Sequence, residues 1–505
     1  MKGLAGRDVS IYLTAALISL LLAFDGSLRA TVVNADGICY LQSAATIASS
    51  GLHAAMQVCG QAQWPFYSLL IYGLAAVSQF SLIHAAFILN GLFSLITVLT
   101  FIYLVSLFDA KQTVLWFAAG AILLLHEFNS VREYIIRDHG FWAFYLISVV
   151  LLIKYLRKPT IFVAIAWSAA LVIATLFRVE GVIFLLLLPL TALLQPISWQ
   201  QRLQQFIELN LVTLLVGILA LFYAFSHHQP THDVSRFNEL TFQVQHGFQV
   251  LVQTYNAKAD ALAAAILNGY SARDAKLLFG LLLTAWYGVS VITNLSVIFA
   301  VLFGFSLSKK LLPLDSASKK VFAGYILINV LITAPFLVEY LFLSKRYLLA
   351  MSLLLLVWVP FALAALWEKR QYSRWPVGLA VILIVASALG GIIDFGYSKR
   401  YIHDAGFWLA NNTPANALIY SNDLQVMYYS GHFGNSVFNK AREFADLSSL
   451  SADKWQQYDY LAVHVDARDP KDKLALAQMP LAPSKVFANS RGDSILIYVR
   501  PHKEI

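Results

Sequence analysis

The chain has 505 residues, of which 59% are hydrophobic and only 13% charged, and its mean hydropathy is +0.66. A soluble domain carries about twice that share of charge, so this composition describes an integral membrane protein and excludes an ordinary soluble enzyme. The formal net charge of +8 calls for no nucleic-acid partner, because much of it lies in short loops between apolar runs, where it orients a membrane protein.

The N-terminus, MKGLAGRDVS, is short and basic, and the apolar run behind it has no small-residue cleavage site, so it reads as an uncleaved anchor. Candidate spans follow near 9–25, 82–107, 112–126, 140–156, 160–177, 181–195, 206–226, 278–304, 321–338, 347–366 and 376–395. That makes about eleven, each close to the roughly 20 residues a bilayer needs. With the N-terminus inside, basic pairs such as Lys309-Lys310 and Lys319-Lys320 fall in short inner loops, and the outer loops are poorer in lysine and arginine for their length. This density sets the N-terminus in the cytoplasm and the C-terminal tail outside.

The first outer loop, 26–81, contains NADGICYLQSAATIASSG. Ile38, Leu41, Ala45, Ala48 and Leu52 recur at alternating steps of three and four, which predicts a helix with one apolar edge and Asp36 at its N-terminus. A carboxylate there is favoured by the helix dipole, but beside a membrane a charge is costly unless it is used. Asp36 is therefore a candidate catalytic carboxylate, and a plain helix cap is the alternative. Cys39 and Cys59, the chain's two cysteines, either pair in an oxidising compartment or remain small unpaired residues. Trp64-Pro65-Phe66-Tyr67 suits a turn at headgroup level, and the short apolar stretch 66–78 suits an interfacial or re-entrant helix.

The later outer loops gather carboxylates and arginines. HEFNSVREYIIRDHG carries Glu127, Arg132, Glu133, Arg137, Asp138 and His139; FRVEG carries Arg178 and Glu180; Glu339 precedes Lys345-Arg346-Tyr347. Such a rim suits a phosphate-bearing lipid substrate, because arginine forks grip phosphate oxygens while a carboxylate takes a proton or holds a divalent cation. The plainer readings are a structural Arg178–Glu180 ion pair, a helix cap at Arg137-Asp138, and a headgroup-level polar role for His139. In the loop 227–277, HHQPTHD matches no common structural zinc spacing and reads as solvated chain, followed by one or two helices over the membrane surface. From Gly396 the chain turns polar, and ALIYSND, YDYLAVHV and SILIYVR read as strands of a small α/β domain. No Walker A loop, nucleophile elbow or HExxH helix occurs, which removes the simplest ATPase, serine-hydrolase and zincin readings.

Taken in order, these motifs resemble a family. Asp36-Gly37-Ile38-Cys39-Tyr40, the Trp64-Pro65-Phe66-Tyr67 turn, the stretch Arg132 to His139, Arg178-Val179-Glu180-Gly181 and Lys345-Arg346-Tyr347-Leu348-Leu349 are similar to motifs of the GT-C superfamily of polyprenyl-phosphate-sugar transferases. Its members include protein O-mannosyltransferases, the lipid A aminoarabinose transferase and the RgtA/B/C/D-like bacterial enzymes. The tail, with Trp408-Leu409-Ala410-Asn411-Asn412-Thr413-Pro414 and Tyr428-Tyr429-Ser430-Gly431, also resembles that of bacterial members. Asp36-Gly37 stands where the mannosyl- and aminoarabinosyl-transferases have Asp-Glu, which moves the chain toward the RgtA/B/C/D-like branch.

The resemblance implies a polytopic α-helical catalytic domain over 1–395 and a soluble α/β domain over 396–505 outside a bacterial cytoplasmic membrane. It implies an inverting glycosyltransferase acting from a polyprenyl-phosphate sugar donor on an envelope glycan, lipid or protein, among membrane lipids. Asp36 and Asp138 are then the catalytic carboxylates, and together the ligands of any Mg or Mn ion. Arg137, Arg178 and Arg346 would bind the donor phosphate, with His139, Glu180 and Tyr347 in support. A lipid-linked sugar flippase and an oligosaccharide polymerase or ligase are the alternatives.

Overall fold

The computed structural model describes residues 6–226, 235–369, 375–393, 395–432, 458–470, 472 and 482–500; the histidine-rich stretch 227–233 lies outside them. The chain forms two compact units. One holds residues up to Gly26, Ile88–Arg132 and Arg137–Ile393, and the other holds Ser27–Phe87, Glu133–Ile136 and the chain from Asp394 onward. Ser27–Phe87, which contains Asp36, thus belongs to the same unit as the tail.

The first unit is helical and apolar. Across the chain, seven described helices are long and apolar enough to cross a membrane: Asp8–Arg29, Leu82–Ser106, Asp138–Arg157, Ser271–Leu295, Ser316–Tyr340, Lys345–Glu368 and Trp375–Ile392. The protein is thus a multi-pass membrane protein, and helices are the form that satisfies every backbone polar group in hydrocarbon. The expected spans at 112–126, 160–177 and 181–195 are shorter apolar helices, Gln112–Leu123, Ile161–Phe177 and Gly181–Leu193.

The expected single span at 278–304 is two helices, Ala275–Leu295 and Val297–Ser308, broken at Ser296 with φ 67°. The break has a polar partner. Asn294 donates to the Lys345 carbonyl at 2.7 Å and accepts from Ser352 Oγ at 2.6 Å, so the end of one helix holds the start of another. Arg132 has a similar internal task. Fully buried, it donates to Asn129 Oδ1 at 3.0 Å and to the Ser19 carbonyl at 3.2 Å, and it lies 4.7 Å from the Phe128 ring centre. The region expected to hold one or two surface helices contains one, Ser235–Ala265; Lys258 donates from it to the Val338 carbonyl at 2.9 Å, at the C-terminus of Ser316–Tyr340, where the helix dipole favours a cation.

The second unit contains a four-stranded sheet. Strands β1 (Ile419–Ser421), β2 (Tyr460–Val465), β3 (Lys485–Ala488) and β4 (Ser494–Val499) lie in the order β1-β2-β4-β3, with β1 and β2 parallel and the other pairs antiparallel. Tyr420, Leu461, Val463, Val465 and Tyr498 form a buried core on it. β3 was not expected, because four residues leave too short an alternation to read. Helices Arg400–Asn412 and Leu424–Tyr429 pack together beside the sheet. The second helix ties down residue 33: the Val33 amide donates to Tyr429 Oη at 2.9 Å, and Gln425 donates to the Val33 carbonyl at 2.7 Å. The helix carrying Asp36, Ala35–Ala55, starts two residues later and is interrupted at Gly51.

Candidate functional site

In the membrane unit, three separate segments bring six of the expected residues together. Helix Asp138–Arg157 begins with Asp138, helix Ile161–Phe177 ends at Arg178, and helix Lys345–Leu355 begins beside Arg346 and Tyr347. The first two helices approach closely at Gly140, where an added Cβ would collide with the Phe177 ring. Only glycine lets that ring sit against the helix, and the next residue along is Arg178. Its guanidinium donates to Asp138 Oδ1 through one terminal nitrogen and to Glu180 through the other two, at 2.6 and 3.4 Å.

A guanidinium has five N–H donors, so this arginine holds both carboxylates and keeps two N–H groups beyond them. Asp138 and Arg178 are both buried. Burial raises the Glu180 pKa, but the charges of Arg178 and Arg137 overcome it and hold the group well below the usual carboxylate range. The Tyr347 ring receives two guanidiniums, Arg178 at 4.6 Å and Arg346 at 5.3 Å from its centre. Arg137, Arg178 and Arg346 thus gather with Asp138 and Glu180 around the Tyr347 ring. An anion is the ligand that such a cluster favours.

His139 faces away from this chemistry. Fully buried, it offers Nε2 to the Val131 carbonyl and Nδ1 to Ser94 Oγ, both at 3.2 Å. A carbonyl only accepts, so Nε2 carries the proton and Nδ1 accepts from the serine. The ring packs edge-on against Trp142 at 5.1 Å. A second ion pair was not among the expected site residues: Glu127, 3% exposed, accepts from Lys345 Nζ at 2.5 Å. Both residues lie in the expected outer rim, but nothing local pairs them across 218 positions. The pair fixes the start of the helix that carries Arg346 and Tyr347.

Asp36 belongs to the second unit. The residue that precedes its helix as N-cap is Asn34, whose side chain does not cap. Instead the Ile135 amide donates to Asn34 Oδ1 at 2.9 Å, and Asn34 Nδ2 donates to the Ile135 carbonyl at 3.3 Å. Asp36 is therefore in the first turn but is not the cap. Its Oδ1 accepts from Gln61 Nε2 at 3.0 Å. Gly37 explains the absence of an adjacent glutamate: a Cβ there would lie 2.8 Å from Asn34 Oδ1 and 3.0 Å from the Ile135 side chain.

Gln61 was not foreseen as a partner, and its placement follows from the cysteines. Cys39 and Cys59 are joined in a disulfide with Cα atoms 6.0 Å apart. One lies three residues after Asp36 and the other two residues before Gln61, and both are buried with Ala62. The bridge closes a loop of about 20 residues and so contributes about 3 kcal/mol through the unfolded chain. Reducing it, or replacing both cysteines by serine, is expected to lower the unfolding temperature and to loosen Gln61 from Asp36. Thermal unfolding with and without reductant checks this, and a reductant-insensitive parent would refute it.

Asp36 and Asp138 were the expected ligands of a divalent cation. Among the described residues no group of three or more His, Cys, Asp or Glu side chains is gathered to hold a metal ion. One Asp138 oxygen is occupied by Arg178 and one Asp36 oxygen by Gln61. Among the described residues these side chains do not make up a ligand set, and no step below is routed through a cation.

No protein-family model matches the chain, and no curated protein matches it. Solved structures do. The chain is similar to the crystal structure of the Archaeoglobus fulgidus oligosaccharyltransferase in complex with Zn and sulfate, with a TM-score of 0.54 and 10% identity, over 90% of this chain and 68% of that one. It also matches apo ArnT from Cupriavidus metallidurans, with a TM-score of 0.43 and 14% identity, over 97% of each chain. The likeness to the first of these shows a shared fold.

Proposed function

We propose that this GT-C-like membrane protein is an inverting glycosyltransferase that moves a sugar from a polyprenyl-phosphate donor to a hydroxyl or amine of a cell-envelope glycan, lipid or protein. The observation that supports it most is the Arg178 cluster, where one guanidinium holds two carboxylates, keeps two N–H groups beyond them and lies over Tyr347 at the ends of apolar helices. A phosphate at the end of a long apolar tail is the ligand that satisfies both features.

In the reaction, Asp36 accepts the proton of the acceptor hydroxyl as its oxygen attacks the anomeric carbon from the face opposite the phosphate. The bond from that carbon to the phosphate oxygen breaks, and polyprenyl phosphate leaves with one more negative charge. An alkyl hydroxyl is far less acidic than a carboxylic acid, so proton transfer is concerted with attack. Arg137 and Arg346 stabilise the growing phosphate charge, and Arg178 contributes its remaining N–H groups while holding Asp138 and Glu180 in position. The membrane is the bacterial cytoplasmic one, with the N-terminus inside and the chemistry outside.

Purified protein in lipid nanodiscs, given radiolabelled polyprenyl-phosphate sugars and a cell-envelope extract, is expected to transfer label to the extract. Parallel reactions with and without chelator test Asp36 and Asp138 as cation ligands, and unchanged transfer in chelator would remove that role. Loss of transfer in chelator would support it. A protein that binds the lipid but transfers nothing from any donor would point to transport instead.

A further inference from the structure

The second unit contains a cavity of about 470 Å³ that the reaction above does not use. This is the size of a small-molecule site, and every residue lining it belongs to that unit. Its charges are compensated. Arg29, Lys399 and Arg491 face Glu133, Asp466 and Asp493 across the lining, and the arginines already have partners: Arg491 holds Asp493 at 2.6 Å and Asp466 at 3.7 Å, and Arg29 holds Glu133 at 3.6 Å. A phosphate or other anion therefore finds little uncompensated charge here.

The cavity instead offers neutral hydrogen-bonding side chains, among them Thr31, Tyr401 and His464. His464 gives its Nδ1 proton to Asp423 Oδ2 at 2.8 Å, which turns Nε2 into the acceptor for Tyr401 Oη, also at 2.8 Å. Tyr401 and His464 both line the cavity, so the tyrosine hydroxyl stands there with its proton committed and its oxygen available to accept. Asp423 is itself fixed by the Gln425 and Val426 amides at 2.8 and 3.2 Å. On the wall, Tyr397 is half exposed, with Arg491 5.4 Å from its ring centre. Paired hydrogen-bonding groups beside an exposed aromatic ring suit a ligand that carries adjacent hydroxyls on one side and an apolar C–H face on the other.

We infer that this cavity binds an uncharged sugar unit of a glycan. It deepens the transferase proposal, on which only the word acceptor rests: if transfer occurs, the bound glycan is the acceptor. The probes are glucose, galactose, mannose, rhamnose and N-acetylglucosamine, with inorganic phosphate alongside. They are presented to full-length protein in nanodiscs, since sugar-headed detergents would compete. Saturation-transfer NMR is expected to detect at least one sugar, with affinity reduced at least tenfold in Tyr397→Ala and in Lys399→Ala.

Both substituted side chains are exposed, so unfolding temperatures should match the parent's. No sugar bound, binding unchanged in both variants, or phosphate bound in preference to every sugar would each overturn the inference. Sugar binding without transfer keeps the cavity's role and removes the transferase. Transfer without sugar binding does the reverse.

Discussion

Asp36→Asn is expected to cut sugar transfer by about 10²–10⁴-fold, the usual contribution of a positioned general base, while leaving membrane levels and unfolding temperature unchanged. The substitution preserves shape, and the asparagine side-chain oxygen still accepts from Gln61 as Asp36 Oδ1 does at 3.0 Å. What it removes is the lone pair that takes the acceptor's proton and the charge that the helix N-terminus favours. Asn34 is the residue at the cap position and Asp36 is not, so a purely structural role for Asp36 would lower the unfolding temperature without a selective loss of kcat. Gln61→Ala gives an independent reading of the same site. It should leave the carboxylate in place but less well oriented, lowering kcat more than it changes the KM for the donor. An Asp36→Asn variant that transfers sugar at the parental rate would remove Asp36 from the chemistry, and with it the central residue of the proposed reaction.

The parts of this molecule that could be read from sequence are those governed by neighbours along the chain. The helix after Asp36 follows from apolar residues at steps of three and four, and three of the four strands follow from β-branched and aromatic runs. The Arg178–Glu180 contact is legible as a local ion pair, and it is one, but the second carboxylate on Arg178 lies 40 positions away. Nothing periodic announces that contact; it depends on Gly140 admitting the Phe177 ring. The break at Ser296 was invisible for a different reason. Lipid-facing and core-facing residues are equally apolar, so hydropathy ran through 278–304 without registering that Asn294 turns to serve Lys345 and Ser352. Gln61 shows the same limit, since its contact with Asp36 depends on a disulfide that the sequence left open.

Arg178→Lys is expected to lower transfer by about 10²-fold or more, the cost of a reacting group displaced by about 1 Å. Lysine keeps the positive charge but presents a single compact ammonium, whereas Arg178 holds two carboxylates at once through three nitrogens and lies over Tyr347. With lysine, Asp138 or Glu180 loses its partner, and the spacing of the carboxylates from Arg137 and Arg346 is no longer fixed. Arg178→Ala should do more, because it leaves the buried Asp138 without its counter-charge; removing one member of a buried pair costs about 3–5 kcal/mol, visible as a large fall in unfolding temperature. Adding Asp138→Asn and Glu180→Gln to Arg178→Ala should restore much of that stability without restoring transfer. Arg137→Ala and Arg346→Ala are expected to lower kcat as well as raise the donor KM, because both guanidiniums would meet the charge that grows on the leaving phosphate. If Arg178→Lys instead retained full kcat and KM while unfolding at a lower temperature, the cluster would be a structural clamp on three helix ends, and the donor phosphate would have to be sought elsewhere.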